Sequence, residues 1–435
     1  MQFLFTVFLI AIFTLPLHFA LNPAQGYDLM LTRILGPVLF CCVLLYCLLK
    51  KKCSFQFSLQ TFFLLGFLAV AALSLFLTER PLWGIRKFLF FLTLVPFYFL
   101  TIYFVTKRMK ARIIIQKVIV WSGVLIASIG FVQFTLQFII GLDQTMALWR
   151  YISALVLGKS LGAAVVVHNS WLVNVADVDL FRVIAFFPDP HICAFFLGMI
   201  APLAVGLYLK TRNSFYIWSS LLIIAADLLT FSRGGYVGLI VGFSVFVVAY
   251  HRQLQLWHKI LFGIFVSIFC LMMVIPGNPI QDRLTSSFDV TEGSNVERLE
   301  NWAQARDIIA QYPLLGVGLG GYISHIDPRA DYRTPIYAHN LYLDIMAETG
   351  IIGLLLWLSF LFTVLIAFFS LRKDPLMIAP GVSAIVFMAH SLFETPLFSV
   401  HIFSLLMIIA GLSYHHAISY RDEHTYEQSK ELSKK

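Results

Sequence analysis

The chain has 435 residues, with 31 Lys and Arg against 23 Asp and Glu and a formal net charge of +8. Hydrophobic residues make up 59% and charged residues 12%, and the mean hydropathy is +0.84, which excludes a water-soluble globular domain. Long unbroken apolar runs, in place of ten-residue alternation, exclude a β-barrel and predict an all-α polytopic membrane protein.

Runs of the ~20 residues a helix needs to cross hydrocarbon recur about twelve times. They fall at 3–20, 32–49, 57–77, 88–105, 113–140, 185–209, 215–231, 236–250, 260–275, 351–371, 376–393 and 400–416. The first run is followed by the small residue Ala20 and looks superficially like a signal peptide. It lacks a basic leader, and Leu21-Asn22-Pro23 is a poor cleavage context, so it reads as an uncleaved span. The run at 113–140 is long enough to tilt.

Basic residues set the orientation. Lys50-Lys51-Lys52, Lys107 to Arg112, Lys210 to Arg212, Arg252 to Lys259 and Arg372-Lys373 fall in alternate connections, and Asp374 is the one acid among them. The positive-inside rule then puts both termini in the cytoplasm, so the positive charge reflects topology, with no nucleic-acid patch. None of the cysteines at 41, 42, 47, 53, 193 and 270 falls on the outer side, which leaves no disulfide framework and no zinc spacing.

The chain thus divides into nine spans over 1–275, a periplasmic loop with short helices over 276–340, three spans over 341–416, and a charged cytoplasmic tail over 417–435. No internal repeat is visible.

Chemistry-bearing residues collect at the outer ends of the spans. Ser294-Asn295-Val296-Glu297 fits a capping box and predicts a helix running to about Gln311, stopped by Pro313. Arg298, Trp302 and Arg306 share one of its faces. That pattern also suits an amphipathic helix lying on lipid. Gly316, Gly318, Gly320 and Gly321 follow without a preceding strand or a following Lys-Ser/Thr, so they read as a return turn and not as a phosphate loop.

His339 precedes Asn340-Leu341-Tyr342 at the start of a helix expected to end near Glu348-Thr349-Gly350. A helix N-terminus disfavours imidazolium, which predicts a neutral ring able to accept a proton. Ser232-Arg233-Gly234-Gly235 makes a tight turn where an arginine can grip a pyrophosphate bidentately or simply snorkel, and Asp227 lies within two turns before it. Phe187-Pro188-Asp189-Pro190-His191 opens another span, with His191 a candidate cavity residue. Asp177 and Asp179 form an acid-x-acid pair of the kind that holds a divalent ion. His390 and Glu394 flank one span end and are expected to pair.

Taken in order, Thr230 to Gly235, Glu297-Arg298-Leu299-Glu300-Asn301-Trp302, Pro313 to Gly318 and Ala338-His339-Asn340-Leu341-Tyr342-Leu343 with Glu348-Thr349-Gly350 resemble the O-antigen ligase and Wzy-type polymerase superfamily. The resemblance covers roughly 185 to 400. It implies about twelve membrane helices and a large outer loop capping a cavity open to the membrane. It also implies transfer of a glycan from undecaprenyl pyrophosphate to an acceptor hydroxyl, with inversion and without metal, nucleotide or other cofactor. By position, Arg233 and Arg298 would be the family arginines and His339 the family histidine, with His191, Trp302, Asn340 and Tyr342 as substrate-binding candidates. His191 departs from the asparagine of many members.

The implied partners are an undecaprenyl-pyrophosphate-linked glycan donor, membrane lipid, and either lipid A–core (a ligase) or a second lipid-linked glycan (a polymerase). The implied location is the bacterial inner membrane with the site on the periplasmic face. A lipid-linked sugar transporter is the reading from another class. It would favour repeated halves and midplane polar groups, whereas ionisable residues here collect at span ends, Asp227 excepted. A metal-dependent transferase would rest on Asp177 and Asp179.

Overall fold

A computed structural model of the protein describes residues 1–17, 19–24, 27–51, 57–167, 170–175, 178–256, 263, 293–332 and 336–414, with 23, 24, 27 and 293–295 described by backbone alone. The expected span at 260–275 apart from Gly263, the loop start over 276–292, Asp177 and the tail over 417–435 lie outside the described residues, as do the capping side chains of Ser294 and Asn295.

The chain opens with α1 (Gln2–Phe13), a 3-10 turn at Leu15–Leu17, and a hairpin of β1 (Ala20–Ala24) and β2 (Tyr27–Met30). There follow α2 (Leu31–Leu49), α3 (Leu59–Ser74), α4 (Pro81–Leu94), α5 (Pro96–Lys107) and α6 (Ala111–Ile139). Next come α7 (Leu142–Leu157), α8 (Lys159–Val167), a second hairpin of β3 (Leu172–Val175) and β4 (Val178–Phe181), α9 (Pro190–Thr211), α10 (Ser214–Leu228) and α11 (Arg233–Tyr250). The last part holds α12 (Gly293–Gln311), α13 (Gly321–Ile326), α14 (Leu341–Ser370), α15 (Pro375–His390) and α16 (Val400–Leu412).

Among the described residues, six helices can cross a membrane by length and composition: α2, the α4–α5 unit, α6, α9, α11 and α14. The helices α1, α3, α10, α15 and α16 are apolar but shorter. Every expected apolar segment except 260–275 therefore has a helix. The first is cut short, since α1 ends at Phe13 and Pro16 closes a 3-10 turn before β1. Outward-facing side chains on this bundle, such as Leu45, Phe62, Trp121, Trp218, Phe362 and Ile366, are apolar, as lipid contact requires.

The described residues are mostly helical, with little sheet: two short antiparallel hairpins. In β3 the burial alternates, with Val173 and Val175 buried and Leu172 and Asn174 exposed, so a period of two overrides helix propensity there.

At the centre lies α9, apolar on every side, with Phe195, Leu197, Met199, Ile200 and Leu203 fully buried. Close approach between helices rests on small residues. Gly234, Gly238 and Gly242 stack at four-residue intervals on α11. A Cβ at Gly234 would meet the His390 ring at 2.5 Å, and one at Gly242 would meet Val386 at 2.4 Å, so α11 and α15 touch along this stripe.

The helix α14 is two helices. Gly350 interrupts it with φ 67° and ψ −174°, at the stop expected from the sequence. The Pro313–Val317 turn fills the break: Ile351 N–H donates to Pro313 O and Val317 N–H to Ala347 O, both at 2.9 Å. A Cβ at Gly316 would lie 2.4 Å from Ala347 O, and one at Gly318 2.5 Å from Thr78 N. Backbone occupies the space beside these glycines, which is why they serve packing and leave no cradle for a phosphate. Below the site, Lys87 Nζ on α4 meets Glu348 Oε1 on the first leg of α14 at 2.5 Å, both side chains nearly buried.

Candidate functional site

Four elements bring their ends to one carboxylate. Glu394, in the connection after α15, has side-chain exposure of 11%. Its Oε1 accepts from Arg298 Nη2 of α12 at 2.9 Å. Its Oε2 lies 2.9 Å from His339 Nδ1, just ahead of α14. His191 Nδ1, in the first turn of α9, stands 3.7 Å from Oε1. The same His191 nitrogen lies 3.0 Å from Ser232 Oγ, whose other neighbour is His390 Nε2 at 3.3 Å. Glu394, Arg298, His339 and His191 line one chamber of about 450 Å³, together with Glu297, Asp189, Tyr337, Thr395, Ser170 and Ile192.

The electrostatics follow from this placement. Burial alone would raise the Glu394 carboxyl, but His191, the His339 hydrogen bond and Arg298 reverse that and hold it below the usual carboxylate range. Burial likewise opposes a charged His339, and the bond to Glu394 outweighs it, so the imidazole is raised above its ordinary value. The helix N-terminus expected to disfavour imidazolium is opposed here by a carboxylate in direct contact, which outweighs the dipole of the first turn. Asp189, the cap of α9, is pushed up to about 6, mainly by burial.

The backbone is strained at this place. His339 sits at φ 49°, Phe231 at 51° and Ala185 at 47°, in the left-handed region that costs a side-chain-bearing residue about 1–3 kcal/mol. Asn340 then caps α14, its Oδ1 accepting from Tyr342 N and Leu343 N, which fixes the ring of His339 relative to the helix.

The other singled-out residues fall outside the chamber walls. Arg233 is the first residue of α11, 8% exposed and directly behind Ser232. Trp302 lies one turn along α12 from Arg298, half-buried, and its indole N–H has no partner among the described residues. Tyr342 donates its hydroxyl proton to Met388 O at 2.8 Å, a bond between helices, and Asn340 is spent on the cap. His390 does not pair with Glu394: its ring stacks on Phe195 at 3.5 Å between centroids. Asp179 accepts from Asn174 Nδ2 across the second hairpin at 2.9 Å. No group of three or more His, Cys, Asp or Glu side chains suited to a metal exists among the described residues. Ser170, Ile192 and Thr395 are chamber residues to which the sequence did not point. Asp189 and Glu394 stood out only as acids at span ends in an acid-poor chain.

Fold and site define a mostly helical membrane protein with a polar chamber of charged side chains gathered where several apolar helices end. Residues 218–358 match the family model described as O-antigen ligase. Over 205 residues the chain is 28% identical to the "ComP-specific O-oligosaccharyltransferase" of Acinetobacter baylyi (strain ATCC 33305 / BD413 / ADP1), a match covering 43% of this chain and 36% of that relative. The chain therefore spans about a third of that relative's length in this match. Both likenesses point to the O-antigen ligase-like superfamily and support the resemblance.

Proposed function

We propose that this protein is an O-antigen ligase-type glycosyltransferase. It would move a glycan from undecaprenyl pyrophosphate to an acceptor hydroxyl at the periplasmic face of the bacterial inner membrane, without metal or cofactor. One observation carries the reading: Arg298 and His339 are held on the two oxygens of a single buried carboxylate at a chamber wall.

With its Nδ1 proton donated to Glu394, a neutral His339 presents Nε2 as an acceptor. The acceptor hydroxyl gives its proton to Nε2 as its oxygen attacks C1 of the sugar. The C1–O bond to pyrophosphate breaks with inversion, and the leaving group keeps the electron pair. Among the described residues, the one hydrogen bond of Arg298 is to Glu394, and a guanidinium has five N–H donors. The remainder can meet the charge that grows on the leaving pyrophosphate, where stabilisation accelerates the reaction. Arg233 would bear on the same charge from behind Ser232. The energy resides in the pyrophosphate bond, so no nucleotide is required.

The acceptor would be lipid A–core for a ligase and a second lipid-linked glycan for a polymerase. The A. baylyi relative, named for ComP, raises a protein acceptor as a third option. The surface-glycan profile of a strain lacking the protein separates them. Bare lipid A–core with polymer accumulating on undecaprenyl pyrophosphate marks the ligase, and a single repeat on lipid A–core marks the polymerase. An unchanged lipopolysaccharide profile with loss of a glycoprotein marks the protein-directed enzyme.

A further inference from the structure

A second cavity of about 280 Å³ lies beside the first. The two share the walls Asp189, Ile192, Tyr337 and Thr395, so a group in one is a neighbour of a group in the other. Away from that wall, the second cavity is lined by Ala164 and Val165 of α8 and by Phe398 and Ser399. It carries no arginine or lysine, which sets it apart from the chamber that holds Arg298.

Its position is built. Asp28 receives the first amides of α8, with Ser160 N at 3.2 Å and Leu161 N at 2.6 Å. That anchors the first turn of α8, whose Leu161 and Ala164 line the cavity. The hydroxyl of Tyr337 makes no hydrogen bond to a described residue, and its ring stands 6.5 Å from the His339 ring.

We infer that this second cavity is the acceptor subsite and that it takes a saccharide, whose hydroxyl is passed across the Tyr337–Asp189 wall to His339. The inference rests on the glycosyltransferase reading above. A sugar ring has an apolar face and a polar rim. Phe398, Ile192 and the α8 side chains offer the first an apolar surface, while Asp189, Thr395, Ser399 and Tyr337 offer the rim carboxylate and hydroxyls. A small chamber with a few convergent polar groups on apolar walls suits such a ligand. An extended peptide would need a row of backbone partners instead.

The test grades the size of one wall residue that lies outside the reactive chamber. Wild type, Ala164→Ser, Ala164→Leu and Ala164→Trp are purified and assayed with undecaprenyl-pyrophosphate glycan as donor and lipid A–core as acceptor, a threonine-bearing peptide serving as rival acceptor. The acceptor KM should rise in order of side-chain volume, reaching about tenfold or more for tryptophan, while the donor KM moves less than about twofold. The thermal midpoint of each variant in detergent should stay near that of wild type, which separates blockage from misfolding. A rise in donor KM with acceptor KM unchanged, or no movement in either, overturns the inference, as does transfer by wild type to the peptide and not to lipid A–core. If wild type transfers to neither acceptor and makes no polymer from the donor alone, the glycosyltransferase reading falls first and takes the subsite with it.

Discussion

At the scale of single residues, Glu394 is the group on which the site depends. It keeps His339 oriented and basic, and it holds Arg298 in place. His339→Ala is expected to lower transfer by about 10²–10⁴-fold, the usual share of a positioned base, and Arg298→Ala by about 10²–10³-fold. Both variants should reach wild-type levels in the membrane, and an in vitro transfer assay at matched protein concentration checks them. The pH dependence has a definite sign. In the proposed mechanism the reactive form is neutral His339, and Glu394 raises that imidazole, so kcat/KM should climb as pH rises through a midpoint above the ordinary histidine value. Glu394→Gln removes the anion and should move that limb to lower pH while reducing the maximum. A limb that stays in place in Glu394→Gln would show that another group titrates. His339 and Arg298 were legible because each stands in a short polar motif at the edge of an apolar run. Glu394 was legible as an acid in the right place but not as their partner, because the 55 residues separating it from His339 are bridged only by the fold.

At the scale of elements, close backbone contact explains the glycines. The stop at Gly350 and the capped start at Asn340 could both be read from local residue types. What filled the break could not, since the Pro313–Val317 turn reaches it through tertiary hydrogen bonds. The stripe of Gly234, Gly238 and Gly242 is a small-xxx-small pattern visible in the sequence, yet its partner α15 is more than a hundred residues away in the chain. Gly350→Ala would place a methyl 2.1 Å from Leu314 O in a left-handed conformation, and it should lower the thermal midpoint of the detergent-solubilised protein. Ala185 is the reverse case. It occupies φ 47°, so Ala185→Gly is expected to raise stability by about 1 kcal/mol, less the added entropy of the unfolded glycine. A thermal shift measurement reads either sign.

At the scale of the whole molecule, composition alone determined the class, because so apolar a chain has no aqueous fold to adopt. The two hairpins were missed because four-residue strands are too short for periodicity to separate from helix ends. One feature of the bundle reaches beyond packing. The ion pair Lys87–Glu348 fastens α4 to the short leg of α14, just before the break. Removing one partner strands a buried charge, so Lys87→Met should cost about 3–5 kcal/mol, and Lys87→Met with Glu348→Gln should recover much of it. Denaturation of the four variants of that cycle measures the coupling. The long leg beyond Gly350 is the part that lies in lipid by composition, and a bilayer of unmatched thickness forces such a helix to tilt. Gly350 then acts as a universal joint, and the pinned leg that begins beside His339 does not follow the tilt. Catalysis should accordingly be insensitive to membrane thickness. Vesicles of short and long acyl chains ought to support similar turnover, and breaking the Lys87–Glu348 pin should make turnover depend on chain length.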